Sequence, residues 1–445
     1  ALRELAAGLA DPQRQIEVAL RQAHYADVTS DYQGMTQAAQ AAIDRAQATG
    51  NRRGEAAGYL HTARAHWYQG DYAAATAQAT QALELAHTAG EQQLEADCLR
   101  MLGNTALYRS DYPAARACYE QALAQHHELG DQQGASSTMN NLGIVAFYQG
   151  DYLTAHHYYE QTLRLKRAAG DRYGESLALL NLGEVAAVQG DYTGAYRYYE
   201  QTLRLKRDSD DRYGESLVLF NLGEVALIQG DYTGAQQDYE QALRLCRAIG
   251  HRQQESWTLA KLGLLFHHRD DNALARDYSR QALQIAQELN DRNLQALALT
   301  HLGHALVTLE QLADATAAYR QALDLRQALE QPKQALEPLA GLARVALIQG
   351  DQAQASRHAA DLLHHLKRGS VDGTDEPFRI YLTCYEVLQA QHDPQAAALL
   401  EQAYHLLREQ AERLDDAAAQ QAFLEQVPTH RVLVAAWQQV QQQNE

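Results

Sequence analysis

The chain repeats one motif at intervals of forty residues. The stretch NLGEVAAVQGDYTGA at 181–195 returns at 221–235 as NLGEVALIQGDYTGA, and residues 171–195 match residues 211–235 at 21 of 25 positions. A chain needs a catalytic site once, whereas it needs a packing unit many times. The repetition therefore predicts a stack of structural units whose shared surface carries the function.

Two recurring helix-boundary signals divide each repeat. The tripeptide Gly-Asp-Tyr begins at residues 70, 150, 190 and 230, and degenerate forms of it begin at 30, 110, 270, 310 and 350. Midway between tripeptides lies a residue that suits the end of a helix, at Gly50, Gly90, Gly130, Gly170, Asp210, Gly250 and Asn290. Each repeat is therefore predicted to hold two antiparallel helices, the first ending at the tripeptide and the second beginning there.

A small residue lies seven positions before the start of every tripeptide. The nine are Ala23, Ala63, Gly103, Gly143, Gly183, Gly223, Gly263, Gly303 and Ala343. Because every repeat keeps a small side chain here, we expect one helix to approach another closely at this position.

The segment NLGEVAAVQGDYTGAYRYYEQTL resembles the tetratricopeptide repeat (TPR), with Leu182-Gly183, Tyr192, Ala195 and Tyr199 at its signature positions. The usual TPR period is about 34 residues with a closing Pro, whereas this chain has the longer period and no such Pro. Its period is similar to that of Pins-type repeats of cell-polarity adaptors and of the sensor repeats of bacterial signal-transduction ATPases related to the maltose-regulon activator. The resemblance covers about residues 20–368. It implies an all-α, right-handed superhelical TPR solenoid of about nine helix pairs.

The repeat register ends after Arg368. The stretch GSVDGTDEP at 369–377 is rich in turn formers and predicts a boundary loop. Helical patterns follow at 378–391 and 394–414, and Pro428 is expected to divide the last segment into two helices. We therefore predict a TPR solenoid over 1–368 and a C-terminal helical extension over 369–445 that caps the last repeat. The stretches DEPFRIYLTCYEVL and FLEQVPTHRVL resemble the C-terminal ends of the bacterial sensor regions.

Charge and cysteine content limit the class of partner. The formal net charge is −18, and a negative field disfavours nucleic acid and anionic membrane surfaces as partners of this segment. The four cysteines form no CxxC pair, which favours reduced thiols and a cytoplasmic location. The chain begins ALRELAAG, without Met or a signal-peptide pattern, so we expect a piece of a longer protein. The resemblance implies an ATPase or DNA-binding domain upstream.

Motifs of catalysis and cofactor binding are missing from the sequence. It contains no GxxxxGK[ST], GxGxxG, HExxH or GxSxG stretch, so no catalytic residue and no cofactor are predicted. His267, His268, His301 and His304 fall on the first helices of neighbouring repeats. A metal site needs three or four convergent ligands, and the 19 histidines are scattered along the chain. We interpret these four as polar lining of a groove and predict no metal.

In TPR-like stacks the first helix of each repeat builds the concave wall, so fixed positions around the small residue should line a groove. The predicted groove residues are His61, Arg64, Trp67, Arg100, Asn104, Asn141, Phe147, Tyr148, Asn181, Glu184, Phe220, Asn221, Glu224, Trp257, His267 and His304. Aromatic rings and amides suit an extended peptide or a helix. The alternative for Asn141, Asn181 and Asn221 is that these amides bond within the solenoid.

The sequence therefore predicts a non-enzymatic recognition module. The first hypothesis is the sensing TPR region of a larger bacterial regulator, which binds a peptide, a protein or a small inducer in the groove. The alternative is an architectural adaptor with no sensing role. Glu184 and Glu224 would repel a carboxylate in the middle repeats, which favours a neutral or partly basic ligand there. Phe147 and Trp257 are the expected aromatic anchors.

Overall fold

The computed structural model describes residues 11–367, 371, 374–414 and 417–444, which form 22 α-helices and no strand. The chain divides after Val185 into two compact units. The first unit contains α1 (Pro12–Val28), α2 (Tyr32–Thr49), α3 (Arg52–Tyr68), α4 (Tyr72–Ala89), α5 (Gln92–Tyr108), α6 (Tyr112–Glu128), α7 (Gln132–Tyr148), α8 (Tyr152–Ala168) and most of α9 (Arg172–Val188).

The second unit begins in the last turn of α9. Its helices within the repeats are α10 (Tyr192–Asp208), α11 (Arg212–Gln229), α12 (Tyr232–Ile249), α13 (Arg252–His268), α14 (Asn272–Glu288), α15 (Arg292–Thr308), α16 (Leu312–Ala328), α17 (Leu336–Ile348) and α18 (Gln352–Leu366). The C-terminal helices are α19 (Pro377–Ala390), α20 (Gln395–Glu412), α21 (Ala417–Glu425) and α22 (Pro428–Asn444).

The helix bounds confirm the predicted two-helix repeat, which occurs nine times in the described part of the chain. Consecutive helices pack together within each unit, as α3 does on α4 and α13 on α14. The first helices of successive repeats also contact each other, as α3 contacts α5 in the first unit and α13 contacts α15 in the second. The first helices therefore form a layer of their own within each unit.

The Gly-Asp-Tyr tripeptide ends one helix and starts the next. Gly150 has a φ of +77°, in the left-handed region where a residue without Cβ is unstrained. Asp151 then caps α8, because its Oδ1 accepts a hydrogen bond from the backbone N–H of Thr154 at 3.1 Å. Where the tripeptide has lost its glycine, as at Ser110 with φ +60°, the same backbone geometry persists at a cost in strain.

In several repeats the small residue is explained by a tyrosine on the second helix, as at Gly103, Gly143, Gly223 and Gly303. A Cβ at Gly143 would lie 2.5 Å from Cε1 of Tyr159, which is closer than packed carbon atoms can approach. Gly103 faces Tyr119 in the same way. These rings are buried, and the Tyr119 hydroxyl donates to Asn104 Oδ1 at 2.7 Å. The hydroxyl is therefore satisfied by the solenoid itself and does not need solvent.

The C-terminal helices cover the apolar end of the second unit. Phe378, Ile380 and Leu382 of α19 share one core with Leu336 of α17 and Leu362 of α18, and α20 to α22 extend the same core. The described residues therefore contain the helical cap that the sequence predicts, while the domain boundary at 368/369 stays a prediction because residues 368–370 lie outside the described ranges. No helix among the described residues is both long and apolar enough to cross a membrane.

Candidate functional site

The inner face of the second unit is filled by a segment of the chain itself. We call residues 374–379 (TDEPFR) the acidic segment; it leads into α19. Its Asp375 accepts a hydrogen bond from Lys261 Nζ at 2.9 Å and lies 3.0 Å from His301 Nε2. Lys261 is buried and also lies 2.7 Å from Glu224 Oε2. Burial alone would lower the pKa of Lys261, but the carboxylates of Asp375 and Glu224 raise it.

The second carboxylate of the acidic segment is more deeply enclosed. Arg379 donates to Glu376 from Nε at 2.6 Å and from Nη2 at 2.9 Å, and His268 Nε2 lies 2.8 Å from Glu376 Oε1. The Glu376 backbone N–H donates to Glu337 Oε1 at 2.9 Å. Burial opposes the charge of Glu376, but Arg379 and His268 hold its pKa well below the usual range. Glu376 is therefore ionised, and its carboxylate anchors the acidic segment.

Two of the three predicted groove histidines, His267 and His304, belong to this network. His267 Nε2 lies 3.0 Å from Arg379 Nη2, which can only donate, and His267 Nδ1 lies 2.7 Å from Asn272 Oδ1. These partners fit a neutral ring that carries its proton on Nδ1. Burial, reinforced by Arg379, lowers the pKa of His267 to about 3. His304 bonds to the Tyr319 hydroxyl at 2.8 Å, and burial lowers its pKa as well.

Among the residues that the structure describes, no group of three or more His, Cys, Asp or Glu is arranged to hold a metal ion. The ring of His301 has a protein group at each nitrogen, because its Nδ1 lies 2.9 Å from the carbonyl oxygen of Ala260 and its Nε2 lies 3.0 Å from Asp375 Oδ2. Both ring nitrogens are directed at protein oxygens.

The inner face of the first unit, in contrast, lines two open cavities. The smaller, of about 300 Å³, is lined by Asp27, Arg64, Trp67, Tyr68, Asp97, Arg100, Met101 and Asn104. The larger, of about 580 Å³, is lined by Trp67, Arg100, Asn104, Leu107, Tyr108, Ser110, Tyr112, Asn141, Ile144 and Tyr148. We call these two together the first-unit groove.

Two hydrogen-bond donors of the first-unit groove are buried and unpaired. Trp67 Nε1 and Arg100 Nε have no hydrogen-bond partner among the described residues. The other end of the guanidinium is held, because Arg100 Nη2 donates to Asp97 Oδ1 at 3.0 Å. Arg64 lies 3.6 Å from Asp27, and burial together with Arg64 lowers the pKa of nearby His61 to about 3.

The groove amides bond to each other. Asn104 Oδ1 accepts from the Tyr119 hydroxyl and from Asn141 Nδ2 at 3.0 Å, and Asn181 Nδ2 donates to Asn140 Oδ1 at 3.0 Å. Asn141 and Asn181 therefore follow the alternative in which these amides bond within the solenoid. Asn104 is different, because its oxygen accepts two hydrogen bonds and the residue also lines both cavities.

Aromatic rings form the outer lip of the first-unit groove. Tyr32 stacks on Tyr68 with ring centroids 4.7 Å apart, and Tyr112 stacks on Tyr148 at 5.9 Å. Trp67 meets Tyr108 edge-on at 4.9 Å. Although their rings contact other rings, Tyr108 and Tyr148 remain more than half exposed. Phe147 lies next to this row, 5.6 Å from the Tyr152 ring.

The remaining predicted groove residues have other surroundings. Phe220 and Trp257 are partly buried and pack against the core of the second unit, and the Phe220 ring lies 5.8 Å from Tyr239. Glu184 is half-buried, and burial raises its pKa to about 7. Asn221 is half-buried on α11. Glu224 accepts a hydrogen bond from the Tyr239 hydroxyl besides its ion pair with Lys261.

Sequence analysis did not identify several residues of the acidic-segment network. They are Lys261, His268 and His301 as partners of the segment, and Asp375, Glu376, Arg379 and Glu337. One signal was present: Lys261 replaces, at the same repeat position, the Asn of residues 141, 181 and 221. A charged residue at a position that is otherwise neutral marks a place where the repeat has acquired a new partner.

The two inner faces use the same repeat positions. Lys261 and His301 occupy the same repeat position as His61, Met101 and Asn141. Glu224 and His304 occupy the same repeat position as Arg64, Asn104 and Ile144. His267 and His268 correspond to the pairs Trp67-Tyr68, Leu107-Tyr108 and Phe147-Tyr148. The positions that hold the acidic segment in the second unit are therefore the ones that line open cavities in the first.

Comparison with known proteins agrees with this architecture. The family model described as Tetratricopeptide repeat matches residues 94–168, 175–248, 216–288 and 254–328, together more than half of the chain. The chain belongs to the tetratricopeptide-repeat family. No curated protein matches the sequence.

Solved structures with a similar fold include several proteins of low sequence identity. The apo form of the quorum sensor NprR from B. thuringiensis has a TM-score of 0.57 at 15% identity, covering 73% of this chain and 91% of that chain. The apo form of RapI has a TM-score of 0.50 at 14% identity, covering 62% and 99% respectively. A STAND protein with a tetratricopeptide repeat sensor, PH0952 from Pyrococcus horikoshii, has a TM-score of 0.52 at 14% identity. That match covers 79% of this TPR chain but only 52% of the STAND protein. At these identities the likeness concerns the fold.

Proposed function

We propose that the chain is a non-enzymatic recognition module whose first-unit groove binds a segment of a protein or a peptide. The observation that carries the proposal is the internal comparison between the two units. The same repeat positions hold the side chains of a segment of the chain itself in the second unit and line about 580 Å³ of open space in the first. A wall that can hold a peptide segment in one unit is the simplest basis for peptide binding in the other.

The composition of the first-unit groove supports this function. Trp67, Tyr108 and Tyr148 offer large aromatic surfaces, which dominate binding energy at protein interfaces. Asn104 and Arg100 add polar groups that can fix the register of an extended backbone. The second-unit wall, by contrast, is closed to outside ligands, because vacating it would require α19 to leave the core that it shares with α17 and α18.

The wider role that fits best is sensing within a larger regulator. The sensor repeats that the sequence resembles support it, and so does the fold shared with a quorum sensor and with a STAND protein that has a TPR sensor. An architectural adaptor would use the same groove. The two roles differ in how far the effect of ligand binding extends along the chain. Ligand binding to a sensor must change hydrogen exchange beyond the residues that line the cavities, whereas binding to a scaffold protects only those residues.

A selection from a random peptide library displayed on phage tests the binding function. We expect the full chain to select peptides that bind the wild type, and Phe147→Ala with Tyr148→Ala should weaken the selected peptides by about tenfold or more, because aromatic side chains are the usual anchors. The matched control is Arg164→Ala with Arg204→Ala on the exposed faces of α8 and α10. If the control pair abolishes binding and the aromatic pair does not, the functional surface lies outside the groove.

A further inference from the structure

The C-terminal helices cover two Gly-Asp-Tyr turns of the second unit. Gly190 and Gly230 are buried, and a Cβ added at Gly190 would lie 3.2 Å from Cδ of Arg413, the residue that follows α20. A Cβ added at Gly230 would lie 3.3 Å from the Ala422 carbonyl oxygen of α21 and 3.5 Å from Cγ2 of Val427. These turns therefore form a surface on which helices of this chain dock.

Hydrogen bonds and a tyrosine ring complete this docking. Arg413 Nη1 donates to the carbonyl oxygen of Gln189 at 3.3 Å, and the Tyr232 hydroxyl donates to the carbonyl oxygen of Gln426 at 3.3 Å. The Tyr192 ring is partly buried against the core that contains the C-terminal helices. The docked helices thus bring a cation to the end of α9, small and aliphatic groups to the glycines, and apolar contact to the tyrosine.

The equivalent turns of the first unit are uncovered. A Cβ added at Gly70 or Gly150 would meet no atom of the described residues within 4 Å, apart from the turn itself. Leu153 of α8 is 79% exposed, and Tyr148 at the end of α7 is 61% exposed. Apolar side chains that face solvent at successive turns are typical of an interaction surface. We call the exposed residues at these turns the first-unit edge; they are Tyr68, Gly70, Tyr108, Ser110, Tyr148, Gly150 and Leu153.

The charge of the first-unit edge favours a basic partner. Asp71, Asp111 and Asp151 are exposed at the three turns, where each caps the second helix of its repeat. The basic side chains there are Arg109 and Arg116, whose guanidinium reaches the third turn. The balance is acidic. The first helices α3, α5 and α7 also end at these turns, and the carbonyl groups at helix C-termini attract cations.

We propose that the first-unit edge docks an α-helix of a partner protein that presents Ala or aliphatic side chains together with an Arg or Lys. The small and aliphatic side chains pack over the glycines, the tyrosine rings and Leu153, and the cation lies at the exposed aspartates and the helix-end carbonyls. Gly70, Gly150 and Leu153 line neither cavity of the first-unit groove. The edge is therefore a second binding surface, and its use does not depend on peptide binding in the groove.

A phage library of a three-helix scaffold with one randomised helix, selected on the intact chain, tests this proposal. Selected helices should carry Arg or Lys beside Ala, Val or Leu. Leu153→Lys removes an apolar contact and adds a repelling charge, so it should weaken them by about tenfold or more. Asp111→Asn with Asp151→Asn keeps both caps, because Asn caps as well as Asp, and should weaken them about threefold at low salt. The matched control is Asp231→Asn, at a turn that α21 already covers, which should leave their affinity unchanged.

Hydrogen exchange locates the bound helix, and the melting temperature of each variant shows that it is folded. Protection should appear at residues 68–72, 108–112 and 148–153. If the library yields no helix, or the selected helices bind Leu153→Lys as tightly as the wild type, the edge is not a docking surface. If they depend on Leu153 but carry no basic residue, the stated chemistry of the partner is wrong.

A second copy of the chain is the competing occupant. Sedimentation of the intact chain addresses it, and self-association that Leu153→Lys abolishes would show that the edge joins two copies and that the proposed partner is wrong. Failure at the edge leaves peptide binding in the groove standing, because the residues changed in this test, Leu153, Asp111 and Asp151, line neither cavity.

Discussion

Replacement of Lys261 by Met should loosen the acidic segment without creating a cavity. Methionine has a similar length, so the change removes the ammonium group that joins Glu224 at 2.7 Å to Asp375 at 2.9 Å and leaves two carboxylates facing each other. Removing one partner of a buried ion pair costs about 3–5 kcal/mol. Here the carboxylate side chains of Glu224 and Asp375 are 28% and 23% exposed, so water can solvate them in part. We therefore expect the lower end of that range, about 3 kcal/mol.

Hydrogen exchange is the suitable assay, because a long repeat chain does not unfold in one step. The loss should appear as a lower opening free energy of α19, and about 3 kcal/mol corresponds to exchange on the order of a hundredfold faster. Lys166→Met is the matched control, since Lys166 is buried and pairs with Asp171 at 3.0 Å in the first unit. It should leave exchange in α19 unchanged.

A double-mutant cycle checks the cause. Asp375→Asn removes one of the two carboxylates that Lys261→Met leaves without the ammonium group. The decrease in opening free energy caused by Lys261→Met should therefore be smaller by about 1–3 kcal/mol when Asp375 is already Asn. The reasoning is refuted if Lys261→Met accelerates exchange in α19 less than about fivefold, which is about 1 kcal/mol. That result would mean that the apolar core around Phe378 holds the segment without help from the ion pairs.

Other predictions address the remaining parts of the structure. The pKa of His267 is lowered to about 3 in the folded protein, whereas the unfolded ring takes up a proton below its ordinary pKa of 6.5. Because only the unfolded state gains a proton in this range, the opening free energy of α19 should fall as the pH drops from 6.5 towards 5. His267→Asn should reduce that slope by up to about 1.4 kcal/mol per pH unit in exchange experiments. Gly143→Ala should destabilise the first unit by about 1–3 kcal/mol in calorimetry, because its Cβ would meet the Tyr159 ring. Trp257→Ala should lower the melting temperature, because Trp257 packs on core residues, whereas Phe147→Ala should weaken peptide binding with little loss of stability.

The repeat architecture was predictable from sequence because local rules determine it. Asp151 caps α8 through its own side chain, and Gly143 is required by Tyr159 sixteen residues away. Both interactions lie within one repeat, so spacing along the chain carries the information. The same periodicity also predicts inner-wall positions, and three of the residues it names, Trp67, Arg100 and Asn104, line the two cavities of the first unit.

The packing of the acidic segment against the second unit was not predictable from the repeat spacing. Lys261 and Asp375 are 114 residues apart, and His268 and Glu376 are 108 apart, so no periodic pattern connects them. The stretch GSVDGTDEP was interpreted as a boundary loop because its composition is typical of turns, and composition says nothing about where a loop packs. For the same reason Trp257, which the sequence suggested as a ligand anchor, packs on the core of its own unit.

Departures from the repeat consensus carry the information that periodicity leaves out. A residue that packing requires recurs in every repeat, as the small residue seven positions before each tripeptide does. Lys occurs once at the repeat position of Lys261, where the three preceding repeats have Asn, and Lys261 donates a hydrogen bond to Asp375 of the acidic segment. Arg100 and Trp67 are also single occurrences, since the equivalent positions hold Asn140 and Leu180 for one and Leu107 and Phe147 for the other. No packing rule of the solenoid requires an arginine and a tryptophan there, and both side chains line the cavity to which we assign peptide binding.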